Sequence, residues 1–276
     1  MMDLRELQLY KLDILKDVVA VCSKNDIPYF LFGGTLLGAV RHHGYIPWDD
    51  DVDIALKWDD YCYFLEKCEE DLPDKYFVQN YDSDSNFPCL WTQIRVNNTT
   101  SMPIKSANVD MHWGICIDVF PLIGVKESEL QYKIQRKIIE YCRVLIATEY
   151  AKGTGITCFG IQRLINRIPN VTRHRILHVL SKYAFIHPTG KYMCGLDSDP
   201  FSKKYATIDW KTTVTCQYED TELSIPKEYD AVLTAMYGDY MTPPPMEERC
   251  GHEGTLGETI IDPNKDYKEY QKKLRV

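Results

Sequence analysis

A chain of 276 residues with 32 basic and 40 acidic side chains, formally −8, is long enough to bury one large core and too acidic to lay a general basic footprint on nucleic acid. Its opening text, "MMDLRELQLYKLDILKDVV", is charged and amphipathic, which speaks against a secretory leader or membrane anchor, and nowhere do about 18 apolar residues run together. The expected setting is the cytoplasm, with ten scattered cysteines, none in a C-x-x-C pair, kept reduced.

Leu4, Leu7, Leu12, Leu15, Val19 and Cys22 recur at helical spacing and predict an amphipathic helix over residues 4–24. "IPYFLFGG" reads as a short buried strand ending in glycines, and "TLLGAVRH" as a helix capped by Thr35. "VDIALKW" is a strand, and "DDYCYFLEKCEEDLP" a helix opened by Asp59 or Asp60 with Pro73 beyond its end. "KYFVQNY", "CLWTQIRVN" and "WGICIDVFPL" predict three more strands, the last stopped by Pro121. Together they make an α+β core over residues 1–125, a mixed sheet flanked by helices. Helical text over 127–150, 158–167 and 173–185 marks residues 126–202 as a helical insertion or subdomain. Residues 203–276 return to strands in "KYATIDW" and "TVTCQYED", then to a helix in "PKEYDAVLTAMYG" with Pro226 in its first turn. A loop, "MTPPPMEERCGHEG", follows, and this part is expected to pack back on the core.

The stretch "RHHGYIPWDDDVDIAL" crowds four aspartates against the start of a buried strand. Side chains alternate faces along a strand, so Asp49, Asp51 and Asp53 share a face if extended backbone reaches back that far, and Asp50 points away. Three like charges on one face call for a cation, and a hard divalent ion, Mg²⁺ or Mn²⁺, suits carboxylate oxygens. Asp118 stands alone between Ile117 and Val119. If its strand lies beside the first, a spacing of roughly 4.8 Å brings it to the same ion. The plain alternative is a solvated turn of aspartates, with Asp118 paired to an arginine.

Gly33 and Gly34 allow close backbone approach to a ligand, and the free N–H groups of the following helix suit a phosphate, to which Thr35 adds a hydroxyl. Arg41, His42 and His43 close that helix, where cations are favoured in any case; Arg41 can neutralise phosphate oxygens. Arg95 and Lys105 are further candidates, with surface charge as the simpler account of Lys105.

Phe32-Gly33-Gly34-Thr35, Asp51-Val52-Asp53-Ile54 and Ile117-Asp118-Val119 resemble the three sequence marks of the nucleotidyltransferase superfamily. "YFLFGGTLLGAVRHHGYIPWDDDVDIAL" closely resembles the signature of the LicD family of phosphocholine transferases, related to the fukutin-type phosphoribitol transferases. "GICIDVFPL" and "YEDTELSIPKEYDAVLTAMYGDYMTPPPMEERCGH" continue the likeness, which covers residues 4–125 and 203–252 and leaves the helical middle unmatched. His43 and Tyr45 depart from a family text nearer R-H-x-G-F. The resemblance implies a nucleotidyltransferase-like fold and transfer of a phospho-alcohol, phosphocholine above all, from a CDP-alcohol such as CDP-choline to a hydroxyl of a cell-surface glycan or its lipid-linked precursor, releasing CMP. It also implies Asp51, Asp53 and Asp118 as ligands of Mg²⁺ (or Mn²⁺), with Asp118 as ligand or base. Substrate contacts fall to Gly33, Gly34, Thr35, Arg41, His42, Trp48, Arg95, and late in the chain Arg249 and His252. Tyr45, Trp48, Trp91 and Trp113 are candidate faces for a quaternary ammonium, with core packing the simpler fate of each. No nucleic acid is expected as partner; peripheral contact with the inner face of the membrane is compatible with a lipid-linked acceptor. Phosphoribitol, phosphoglycerol or nucleotide transfer, or a silent nucleotide-binding module, are the alternatives.

Overall fold

The computed structural model describes residues 2–153, 164, 165, 167–185, 192–194, 208, 210, 212–249 and 258–275. Helix α1 (Leu4–Lys24) starts on a capping box, in which Asp3 accepts from the Glu6 N–H and Glu6 accepts from the Asp3 N–H, each at 2.8 Å. There follow β1 (Phe30–Leu31), α2 (Gly33–His42), β2 (Asp53–Lys57), α3 (Trp58–Asp71), β3 (Tyr76–Gln79), β4 (Thr92–Val96), β5 (Thr100–Pro103) and β6 (Cys116–Gly124). Then come α4 (Glu129–Gly153), α5 (Asn170–Ala184), β7 (Tyr192–Cys194), β8 (Thr213–Tyr218), β9 (Thr221–Pro226), α6 (Tyr229–Tyr237), β10 (Thr259–Asp262) and α7 (Tyr267–Leu274).

The main sheet has the order β1-β2-β6-β4-β3, with β7 also pairing β6. β2 and β6 run parallel and the remaining pairs antiparallel, so the architecture is α+β with a mixed sheet, as the sequence predicts. β2 and β6 are central, and their Ile54, Ala55, Leu56, Ile117 and Val119 have no exposed surface. Strands covered on both faces read as continuous apolar runs, and this is what makes a single acid in β6 conspicuous. α1 and α3 pack on one another and on β6, while α4 packs on α5. The β8–β9 hairpin lies against β1 and α2, and β10 pairs β5 in a separate two-stranded ladder.

Several expectations need correction. Thr35 does not cap α2: the helix starts at Gly33 after Phe32, and the Thr35 hydroxyl accepts from the Asp53 N–H at 2.8 Å. α3 begins at Trp58, with Asp59 and Asp60 already in its first turn. Pro121 does not stop β6 but sits inside it, opposite Leu56. The Asp118 N–H points to β2, so by alternation position 121 faces the other side. There the pairing with β4 has ended at Val119 and that with β7 begins at Leu122, so among the described residues no strand partner on that edge needs the donor that proline lacks. Pro226 likewise ends β9 and does not open α6. β5, β9, β10 and α7 carry too little periodic text to have been predicted. Most of "KYATIDW" and of 158–167 lies outside the described residues.

His112 packs between Phe77 and Tyr267, ring centroids 5.0 and 4.9 Å away. Its Nδ1 accepts from the Gly114 N–H at 3.1 Å, so the neutral ring carries its proton on Nε2, facing Asn97 Oδ1 at 3.1 Å. Burial, reinforced by the charges of Arg95 and Lys268, pushes its pKa down from 6.5 to about 3. A depressed folded value makes this contribution whole above the unfolded pKa and erodes it as pH falls toward 3, at about 1.4 kcal/mol per pH unit. We expect His112→Asn to flatten the acid limb of stability between pH 6.5 and 3, measured by urea unfolding at stepped pH. Parallel limbs for the two proteins would refute it.

Candidate active site

The site is built on one row across the sheet. Asp53 on β2 pairs in register with Asp118 on β6, which pairs with Gln93 on β4, which pairs with Gln79 on β3. In-register residues project from the same face, so one acid per strand meets the amides of the next two. The parallel ladder extends one residue before β2, because the Val52 carbonyl accepts from the Asp118 N–H at 2.9 Å. Asp51 therefore shares the Asp53 side, as alternation requires.

Asp118 is not paired to an arginine. Its Oδ1 accepts from the Trp91 indole N–H at 2.5 Å and from Gln93 Nε2 at 2.8 Å. Burial, then the nearby Asp51 charge, pushes its carboxyl up to about 6 against those two hydrogen bonds and the charge of Lys11. Arg95, expected on a phosphate, is buried and committed elsewhere: it donates to Gln79 Oε1, to Gln93 Oε1 and, at 2.6 Å, to the Gly114 carbonyl. By holding the Gln93 carbonyl it turns the amide nitrogen of Gln93 toward Asp118. Arg95 is thus a positioning residue for the acid.

The aspartate run folds back onto α1. Asp49 and Asp50 are buried, and Gln8 Nε2 donates to the Asp49 carbonyl at 2.8 Å while Lys11 Nζ donates to that of Asp50 at 2.6 Å. Lys11 Nζ also lies 3.8 Å from Asp51 Oδ1. Among the described residues, Asp49, Asp50 and Asp51 form a group whose carboxylate oxygens lie within 4.8 Å of one another. Asp51 thus belongs both to this group and to the row with Asp118. Expectation placed Asp50 apart, but a turn and not a strand precedes Val52, with the Asp49 N–H bonded to the Ile46 carbonyl at 2.9 Å.

Gly33 and Gly34 meet carboxylates. A Cβ at Gly33 would stand 2.6 Å from Asp53 Oδ2, and one at Gly34 2.5 Å from Asp49 Oδ2. Gly33 also has φ of +55°, where side chains are disfavoured. Their first role is to let α2 start against the acids.

Arg41, His42 and Trp48 gather at a second place. Arg41 Nη1 donates to the Tyr240 carbonyl at 2.6 Å and its Nε to His42 Nε2 at 3.0 Å. The His42 and Trp48 rings meet edge to face at 6.1 Å, and the Arg249 guanidinium lies 4.8 Å over Trp48. Burial and then the Arg249 charge lower the Arg41 pKa; burial, then Arg41 and Arg249, lower that of His42. Two guanidiniums that oppose each other are arranged for an anion to join them. Trp48 precedes Asp49 in the chain and links this cationic cluster to the acids. His252 lies outside the described residues.

A cleft of about 780 Å³ opens beside Asp118 and Gln93 of the row. Asp51, Asp118, Lys11, Gln93 and Arg95 line it together with Trp113, Lys105, Tyr150, Ser101 and Thr259. Tyr45 takes no part: it is buried, its ring 5.3 Å from Tyr218. Trp91 serves Asp118 and is not a free aromatic face. Lys11, Gln8, Gln93 and Trp91 as an indole donor are the site residues that the sequence reading missed. Gln8 and Lys11 had a signal, since both interrupt the apolar face of α1 at helical spacing.

Residues 26–134 match the family model described as LicD/FKTN/FKRP, nucleotidyltransferase domain. The lipopolysaccharide cholinephosphotransferase LicD of Haemophilus influenzae is 27% identical over 259 residues, 90% of this chain and 95% of that protein. Over residues 26–134 the chain resembles the LicD family. Human ribitol 5-phosphate transferase FKRP is 49% identical over 53 residues, 19% of this chain and 10% of that protein. The LicD domain match runs from before β1 into α4 and so contains the whole acid row, both glycines, Arg41, Trp48 and Arg95. Arg249 and β10, which complete the cationic cluster and the cleft wall, come from beyond it.

Proposed function

We propose that the chain is a metal-dependent transferase that moves a phospho-alcohol, phosphocholine in first place, from a CDP-alcohol to a hydroxyl of a cell-surface glycan or its lipid-linked precursor, releasing CMP. The observation that carries this reading is the register of Asp53 with Asp118, beside an Asp51 whose charge Asp118 feels. Asp51, Asp53 and Asp118 would hold Mg²⁺ or Mn²⁺, with Asp49 and Asp50 offering oxygens next to Asp51. The donor set fits, being all hard carboxylate oxygen and carrying a repulsion that a cation relieves. When bound, the ion would supply charge neutralisation at the diphosphate and at the departing CMP.

The chain's own residues supply the rest. Trp91 and Gln93 both bind Oδ1 of Asp118, which leaves Oδ2 to orient an acceptor hydroxyl and take its proton. The acceptor oxygen bonds to the phosphorus that carries the alcohol, and the bond from that phosphorus to the CMP oxygen breaks. Arg41 and Arg249 suit the donor's phosphate charge. The cleft volume falls within the usual range for a bound small molecule, about 300–1,000 Å³.

Release of CMP from CDP-choline, CDP-ribitol and CDP-glycerol, with Mg²⁺ or EDTA and with a surface-glycan extract, tests this. EDTA-sensitive release with one donor is the expected result; none from any donor overturns the reading. Ribitol phosphate is the second candidate, favoured by the FKRP match and by the guanidinium of Arg249, which occupies one face of Trp48 that a quaternary ammonium would otherwise use.

Gly34→Ala tests the cradle separately. Its Cβ must displace the buried Asp49 carboxylate, so Mg²⁺ affinity by calorimetry is expected to fall on the order of tenfold or more, with a stability change of about 1 kcal/mol. Unchanged affinity would remove Asp49 from the metal's surroundings.

A further inference from the structure

The charges of this chain are unevenly placed. Residues 150–196 hold seven Lys and Arg and no Asp or Glu, which leaves 25 basic against 40 acidic residues, formally −15, in the rest. α5 lies within this acid-free stretch. Its inward stripe is Arg173, Leu177, Ser181 and Ala184. At about 100° per residue, the opposite side sets Arg175 and Lys182 in one row, with Val179, Tyr183 and Ile176 in the row beside it. Those three apolar side chains are 70%, 38% and 37% exposed. Lys126 adds a further cation, its Nζ 4.7 Å over the Tyr183 ring.

We propose that this face of α5 docks on an anionic phospholipid bilayer, with Arg175 and Lys182 among the headgroups and Val179, Ile176 and Tyr183 in the interface below them. Charge complementarity selects the occupant. The cations Arg175, Lys182 and Lys126 let the anionic bilayer approach, although Asp82 pairs with His178 at 3.0 Å on the flank of α5, while the −15 remainder is pushed away, so the same field that attracts the chain also orients it. Nucleic acid would answer the cations but leave the row of Val179, Ile176 and Tyr183 unexplained; an interfacial helix uses both rows. Among the described residues no helix is long and apolar enough to cross a membrane, so the contact is one of surface docking. The inference deepens the transferase reading and rests on it only for purpose, since docking would carry the cleft to a lipid-linked acceptor.

Flotation of the full chain with vesicles of phosphatidylcholine, and of phosphatidylcholine mixed with phosphatidylglycerol, is the test. Binding is expected with the mixed vesicles alone and should weaken as salt rises. Arg175→Ala with Lys182→Ala should reduce partitioning about 30-fold, roughly fivefold per charge. Val179→Ser should reduce it less, and equally at all salt concentrations. All three positions are exposed, and CMP release with a soluble acceptor should be unchanged in these variants. No binding by the parent chain, full binding by the double variant, or preference for RNA over the mixed vesicles at equal phosphate overturns the assignment. Flotation needs neither donor nor metal, so docking and chemistry fail separately.

Discussion

Asp51→Asn is expected to lower transfer on the order of 10³-fold or more while leaving the fold intact. Asp51 stands where two groups of acids meet, the Asp49–Asp51 oxygens and the row with Asp118. Its loss would take a carboxylate from both. It also removes repulsion, because Asp49, Asp50 and Asp118 then face one negative charge fewer. Lys11 loses an ion-pair partner at 3.8 Å but keeps its hydrogen bond to the Asp50 carbonyl. The two effects on stability oppose each other, and the net should stay within about 1 kcal/mol. Asp53→Asn should behave alike. The decisive readings are CMP release against Mg²⁺ concentration and the thermal midpoint of each variant. Mg²⁺-dependent turnover near the parent's would sink the metal assignment, and a collapsed midpoint would show that the acids are structural.

Arg95→Met should give the largest loss of stability, about 3–5 kcal/mol, or roughly 6–15 °C in Tm for a chain of this size. The side chain is 4% exposed, and its removal strands three acceptors, on Gln79, Gln93 and Gly114, without donors. Arg95→Lys should recover only part, since one ammonium cannot reproduce a planar fork aimed at three oxygens. Because Gln93 is then free to turn its amide, surviving enzyme should lose kcat more than donor KM. Arg41→Met should do the opposite, raising donor KM with little change in Tm. If Arg95→Met were as stable as the parent and impaired only in KM, a phosphate contact would replace the positioning role.

The acid row was legible because its physics is local. A D-x-D pair opening a buried strand and one acid in a later apolar run are each anomalous in the sequence, and the parallel register of β2 and β6 only brings the two anomalies together. The supports of the row were less visible. Gln93 and Arg95 show as alternate residues of a strand, but nothing in the text says that β4 lies next to β6. Lys11 and Gln8 could have been read, as polar residues on the apolar side of α1. Pro121 was misread because its rule assumes a neighbour on both edges, and the partner on one side changes from β4 to β7 at that point. Thr35 has the right residue type for a cap, but its hydroxyl is taken by the Asp53 N–H from a strand that sequence could not place. β5 and β10 are four residues each and lie more than 150 residues apart, so their pairing leaves no local trace.

That last pairing determines when the enzyme can exist. Every carboxylate of the row has been synthesised by residue 118, yet the lining of the cleft includes Thr259, brought in when β10 zips onto β5. A nascent chain would therefore carry the acids of the row through 141 further residues before Thr259 joins the lining of the cleft. Competence arrives at once, with the four-residue strand β10 acting as the clasp.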